Sequence, residues 1–341
     1  MLRQAVFFGF EPWKEYIPRW FPGTICKVVT RNPKLMLRRG WPLRLLLPPR
    51  PAVFVWGFKH PAFLRRFCRL FHIPFYYVED GFVRSVSLGT MRAAPASLII
   101  DARTVHYDAR NPSDLERTLQ TYDFGADPAL MERADRCIGM LLDLRVSKYN
   151  LGRRVDVDTL LGPKTRKRVL VVGQVETDAA IAHGCDRPFN NNDLVRLAVA
   201  ENPDAQVIYK PHPEILHGTR AGLTDPADVS HVCDILDKDV TPADVLDTAD
   251  HVYTITSLMG FEAVLRGIPV TCIGLPFYAG WGVTDDRQTS ARRTRRLSAR
   301  EIFAAAYLMH SQYYDPETGQ PTDLETVICR LIQMRNRGAE T

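Results

Sequence analysis

Short apolar runs alternate with longer helical segments twice along this chain, and that alternation restricts the fold more than any single motif. In the first half, residues 5–8, 25–29, 52–56, 75–78 and 97–100 read as strands. Helices are expected over 61–71, 112–119 and 128–144. A fresh series opens with the strand 168–172. It continues through helix 192–201, strand 206–209, helix 242–248, strand 251–255, helix 258–266 and strand 269–273. Strands separated by helices form parallel βαβ units. At 341 residues the chain also exceeds the size at which one hydrophobic core stops growing. The sequence therefore predicts an α/β protein of two Rossmann-like domains facing a central cleft. The first spans 1–150, a polar linker 151–168, the second 169–295, and further helices fill 296–341.

Where the chain resides follows from what it lacks. No apolar run approaches the roughly 18 to 20 residues needed to cross a bilayer. The N-terminus has no succession of charged, apolar and small residues that would mark export. Seven cysteines are scattered, odd in number and never in a C-x-x-C pair, so reduced thiols in a cytoplasmic protein are expected, with no metal cage.

Charge is unevenly placed. Residues 1–50 contain ten Lys/Arg against two Glu, interleaved with Trp13, Trp20, Phe21 and Trp41, and a second basic run covers 292–296. Basic clusters with aromatics suit anionic lipid headgroups or other polyanions, and a solvated basic face is the plainer alternative. No recognised nucleic-acid motif is present, so nucleic acid is not an expected partner.

Strand ends carry the candidate chemistry, because ligands of parallel α/β sheets bind outside the carboxyl ends of the strands. Glu79-Asp80-Gly81 follows one strand, and adjacent acids can raise one pKa toward the range of a useful base. Arg84 lies within reach of that pair or of a substrate carboxylate. Lys210-Pro211-His212-Pro213 follows another strand, with His212 held on a stiff loop between two prolines. Thr256-Ser257 precedes a helix whose N-terminus suits phosphate, and Glu262, just inside that helix, is placed to accept from ribose hydroxyls. Gln174 and Asp178 follow the first strand of the second domain. Asp178 is a candidate nucleophile or electrostatic stabiliser, although taken alone it reads first as a helix N-cap. Glycine-rich phosphate loops are absent, and no D-x-D pair stands out as a metal–diphosphate site. No metal or other cofactor is expected.

Taken together the peptides resemble the bacterial β-Kdo transferases of capsule polysaccharide assembly. The matching stretches are Tyr77-Val-Glu-Asp-Gly-Phe-Val-Arg-Ser85, Ser147-Lys-Tyr-Asn150, Val169-Leu-Val-Val-Gly-Gln174 with Asp178, and Tyr209-Lys-Pro-His-Pro213. Thr256-Ser-Leu-Met-Gly-Phe-Glu-Ala263, Gly267-Ile-Pro-Val-Thr-Cys272 and Pro276-Phe-Tyr-Ala-Gly-Trp-Gly-Val-Thr-Asp-Asp286 extend the match. The acidic and His-Pro pairs are also similar to those of bacterial sialyltransferases. The resemblance implies a GT-B fold, CMP-Kdo as donor, no metal, and retention through a covalent intermediate. Asp178 would be the nucleophile and Glu79 or Asp80 the base. His212, Lys210 and Ser257 would bind the CMP phosphate and Glu262 the ribose, with Gln174, Pro213, Thr256 and Gly260 completing the donor site. Arg84 and Ser85 would contact substrate. The acceptor would be a glycan or glycolipid, met by a cytoplasmic enzyme peripheral to the anionic inner membrane. An inverting CMP-sialyltransferase, or a non-catalytic polysaccharide-binding assembly protein, are the rival readings.

Overall fold

A computed structural model describes residues 4–11, 14, 17–21, 24–29, 32–86, 93–150 and 154–339; Trp13 lies outside them. Its strands are β1 (Gln4–Phe8), β2 (Ile25–Val29), β3 (Ala52–Trp56), β4 (Phe75–Asp80), β5 (Ser97–Asp101), β6 (Arg168–Val172), β7 (Gln206–Lys210), β8 (Asp234–Ile235), β9 (His251–Thr254), β10 (Val270–Cys272), β11 (Asp285–Asp286), β12 (Ser311–Tyr314) and β13 (Pro321–Thr322). They form two sheets, ordered β13-β12-β5-β4-β3-β1-β2 and β11-β10-β9-β6-β7-β8.

The second sheet is parallel throughout. Its central strand β6 is buried at every position, as a strand covered by helices on both faces must be. In the first sheet β2, β1, β3 and β4 run parallel, and side-chain alternation along them feeds two cores. Val6, Phe8, Val53 and Val55 enter one core, while Ala5, Phe7, Ala52 and Phe54 enter the other.

Two features depart from the alternating plan. β5 pairs antiparallel with β4, and the segment after residue 296, read as helices alone, contributes β12 and β13 to the first sheet. β12 is only four residues, too short to stand out between helices Ala299–Phe303 and Leu324–Ala339. Its pairing is fixed by distant contacts: Ser311 lies opposite Ile99, and Tyr314 stacks on Trp20 at 4.1 Å. The C-terminal segment thus ties the two halves together.

The basic run 292–296 is largely consumed in the same task. Arg292 Nε and Arg293 Nε both donate to the buried Glu116 carboxylate, at 2.6 and 3.0 Å. Arg293 also donates to the Pro276 and Ala279 carbonyls, and Arg295 to those of Leu119 and Tyr122. Charge satisfied by buried internal partners is withdrawn from binding polyanions. Trp20 and Trp41 are likewise buried in core clusters and do not form an interfacial aromatic belt.

Candidate active site

The carboxyl ends of β3, β4, β6, β7 and β9 converge on one cleft of about 860 Å³, lined from both sheets. That volume lies at the upper end of the range for small-ligand sites. Glu79, Asp80 and Arg84 reach it from the first sheet; Gln174, Asp178, Lys210, His212, Pro213, Thr256, Ser257 and Glu262 reach it from the second. Two expected residues do not line it. Ser85 is buried, accepting from Arg84 Nη1 at 2.9 Å. Gly260 faces inward, where a Cβ would stand 2.2 Å from the Tyr278 hydroxyl. Its smallness serves the packing of that helix against Tyr278.

The acidic pair divides sharply. Asp80 Oδ2 stands 2.9 Å from Arg84 Nε, whose side chain is wholly buried. Burial alone would raise the Asp80 pKa, but Arg84, Lys14 and Lys148 outweigh it and hold the carboxyl below its ordinary value. Among the described residues Glu79 has no such ion pair. Its Oε1 accepts from the Tyr107 hydroxyl at 2.7 Å, and burial pushes its pKa up to about 7, with Asp80 and Asp178 adding to the rise. Gly57 makes room for it: its φ is +47°, and a Cβ there would sit 2.4 Å from Glu79 Oε1. Lys14 lies 2.8 Å from the Trp56 ring centroid, and burial lowers its pKa to about 8 against the attraction of Asp80 and Glu79.

On the opposite wall, Asp178 caps helix Ala179–Gly184, with Oδ1 accepting from Ala180 N at 2.8 Å. Oδ2 is turned to Arg220 Nη1 at 3.7 Å, and the same guanidinium stands 3.7 Å from Glu214. The N-cap reading and the cleft reading of Asp178 therefore both hold.

His212 is fixed by its neighbours. Its Nδ1 accepts from Glu214 N at 3.2 Å, so the ring proton sits on Nε2. Burial lowers its pKa to about 4, and the ring is neutral at physiological pH, a hydrogen-bond donor and not a cation. Lys210 closes β7 beside it, buried, with its pKa drawn down by desolvation. Gln174 and Thr256 lock the β6 and β9 ends together: Thr256 N donates to Gln174 Oε1 at 2.7 Å, and Gln174 Nε2 donates back to Thr256 Oγ1 at 3.1 Å. Ser257 caps helix Leu258–Leu265, which lifts Glu262 into the cleft floor. Burial pushes the Glu262 pKa up to about 7.

The peptide 147–150, which directly precedes the expected polar linker, is built into the site. Lys148 O accepts from Arg84 N, and Lys148 N donates to Glu262 Oε1 at 3.2 Å, so one residue bridges the two walls. Burial would lower the Lys148 pKa, but Tyr149, Asp80 and Glu79 outweigh it and raise it. Tyr107, Arg220, Lys14 and Gly57 had no signal in the sequence, because each gains its meaning only from a distant carboxylate. Among the described residues no cluster of His, Cys, Asp and Glu could hold a metal ion.

Two parallel-strand sheets whose carboxyl ends meet at a shared cleft define a GT-B architecture. The chain belongs to the capsule polysaccharide biosynthesis protein family, whose model matches residues 51–314. It is similar to the lipopolysaccharide-processing protein LpsZ of Rhizobium meliloti, 41% identical over 96% of this chain and 74% of that one. It is 37% identical to the capsule polysaccharide modification protein LipA of Neisseria meningitidis serogroup B, over 96% of this chain but only 45% of LipA. Among solved structures, the β-Kdo 2,4 transferase of Thermosulfurimonas dismutans KpsC aligns with a TM-score of 0.78 at 33% identity, covering 97% of this chain and 98% of that one. The β-Kdo 2,7 transferase of the same KpsC aligns with a TM-score of 0.71 at 31% identity, covering 98% and 100%.

Proposed function

We propose that this chain is a retaining β-Kdo glycosyltransferase, moving Kdo from CMP-Kdo to a glycan or glycolipid acceptor in surface polysaccharide synthesis at a membrane's cytoplasmic face. One observation carries the reading: a carboxylate tuned near neutrality, Glu79, and a second carboxylate, Asp178, line one cleft with the donor groups Lys210 and His212. Likeness to the two KpsC transferases supports the sugar assignment.

Asp178 attacks the anomeric carbon; the bond from that carbon to the CMP phosphate oxygen breaks, and the electron pair leaves with the phosphate. His212 donates from Nε2 to the departing phosphate, Lys210 supplies positive charge, and the Ser257 helix end adds backbone N–H groups. The acceptor hydroxyl then attacks the same carbon from the opposite face, gives its proton to Glu79, and releases the Asp178 carboxylate. Two inversions give net retention. Asp80, tied to Arg84, remains ionised and keeps the Glu79 pKa raised. No step requires a metal or other cofactor.

The test is a turnover assay with CMP-Kdo and CMP-sialic acid side by side. Release of CMP from CMP-Kdo alone supports the reading. Preference for CMP-sialic acid, or binding without release from either donor, contradicts it.

A further inference from the structure

Residues 16–78 hold twelve Lys/Arg and not one Asp or Glu. Subtracting those twelve from the chain's 44 Lys/Arg leaves 32 against all 39 Asp/Glu, so the rest of the molecule is net acidic. The fold gathers much of this basic segment on one surface. Helices Pro33–Arg38, Trp41–Arg44 and Ala62–Leu70 cover one face of the first sheet, sending Met36, Trp41, Leu45, Leu64 and Cys68 into its core. Arg50 Nη1 donates to the Phe71 carbonyl at 3.1 Å and fastens the 45–50 loop beside the end of the third helix.

What these elements turn outward is unusual. Arg38, Arg39, Arg44, Arg66 and Arg69 are all exposed, and among the described residues none of the five meets a carboxylate within an ion-pair distance. Interspersed with them are four leucines: Leu37, Leu43, Leu47 and Leu70 are 56%, 71%, 62% and 72% exposed. Arginine alone would suit any polyanion. Arginine mixed with exposed leucine suits an anionic bilayer, where headgroups take the charge and the interfacial zone takes the side chains. A nucleic acid offers the leucines nothing.

We infer that this face docks on an anionic lipid surface. The third helix starts three residues beyond Lys59, the last of the lining residues Gly57, Phe58 and Lys59, so a docked molecule holds its cleft beside the bilayer. This deepens the transferase reading, since a lipid-linked acceptor would then enter from the membrane side.

The test is co-sedimentation with phosphatidylcholine vesicles containing a third phosphatidylglycerol, against phosphatidylcholine vesicles and against a duplex DNA oligonucleotide. Binding to the anionic vesicles is expected to weaken about fivefold per charge removed, and more for reversal, in the R44E/R66E/R69E variant. It should fall also in L43S/L47S/L70S, whose charge is unchanged, and from about 0.1 M to about 0.5 M NaCl. All these positions are exposed, so thermal unfolding should match wild type and CMP release from CMP-Kdo in solution should persist. Equal binding to both vesicle types, indifference to both variants, or tighter binding to DNA overturns the docking inference. Loss of CMP release with vesicle binding intact would instead overturn the transferase reading.

Discussion

Tyr107 donates its hydroxyl hydrogen to Glu79 Oε1 at 2.7 Å and, with the nearby Lys14, steadies the charged form of a carboxylate otherwise pushed toward neutrality. Burial and the nearby Asp80 and Asp178 favour the protonated acid; the tyrosine opposes them. The balance leaves Glu79 with a pKa of about 7.

A base must be deprotonated to work, so transfer should rise with pH through about 7 and level off above it. Removing the tyrosine hydroxyl removes stabilisation of the carboxylate and raises its pKa further. Tyr107→Phe should therefore move the acid limb of the kcat/KM profile to higher pH with a modest loss at the plateau. A profile identical to wild type would detach Tyr107 from Glu79.

Replacing Glu79 by Gln keeps shape and removes the base. Transfer to acceptor should drop about 10²- to 10⁴-fold, while donor binding, measured by calorimetry with CMP, stays within about twofold of wild type. An equal drop in Asp80→Asn, with Glu79→Gln unimpaired, would reverse the assignment within the pair.

Asp80 and Arg84 form a largely buried ion pair, and Arg84 is wholly enclosed. Breaking such a pair from one side strands the other charge, so Asp80→Ala should lose about 3 kcal/mol of stability in urea titrations at neutral pH. Because the folded Asp80 pKa is depressed, its contribution holds above the ordinary carboxylate range and fades as pH falls through the folded value. Unchanged stability at neutral pH would show that the pair is not formed.

His212 is expected to act neutral. An NMR titration should find Nδ1 unprotonated and the proton on Nε2 down to about pH 4, since burial depresses the ring pKa. His212→Ala should slow CMP release about 10²- to 10³-fold, as loss of one preorganised donor does. A ring that protonates near its ordinary value would make the contact electrostatic.

Gly57 has a left-handed φ of +47° and faces Glu79 across a gap with no space for a methyl group. Gly57→Ala should cost about 1–2 kcal/mol in backbone strain and, by displacing the base, slow transfer by about 10²-fold. Retention of full transfer would mean that Glu79 tolerates displacement.

The sequence carried the architecture because burial on both faces writes β3, β6 and β7 as plain apolar runs between amphipathic helices. It carried the strand-end residues for the same reason, since polar groups directly after such a run have only the cleft to enter. It did not carry β12, four residues whose place depends on β5 some two hundred positions earlier. It misplaced Ser85 and Gly260, where adjacency to a motif stood in for direction: Ser85 turns inward beneath Arg84, and Gly260 packs on Tyr278. The split between Glu79 and Asp80 was also out of reach. Adjacent carboxylates look alike in sequence; the Arg84 ion pair on one and the Tyr107 hydrogen bond on the other tell them apart.

The most direct test of the central claim, that Asp178 and Glu79 serve one sugar in one cleft, is intact-mass analysis of the Glu79→Gln protein mixed with CMP-Kdo alone. A species heavier by one Kdo residue is expected, mapping by peptide fragmentation to Asp178 and absent in the Asp178→Ala background. No added mass while CMP is released, or an adduct that survives Asp178→Ala, would contradict it.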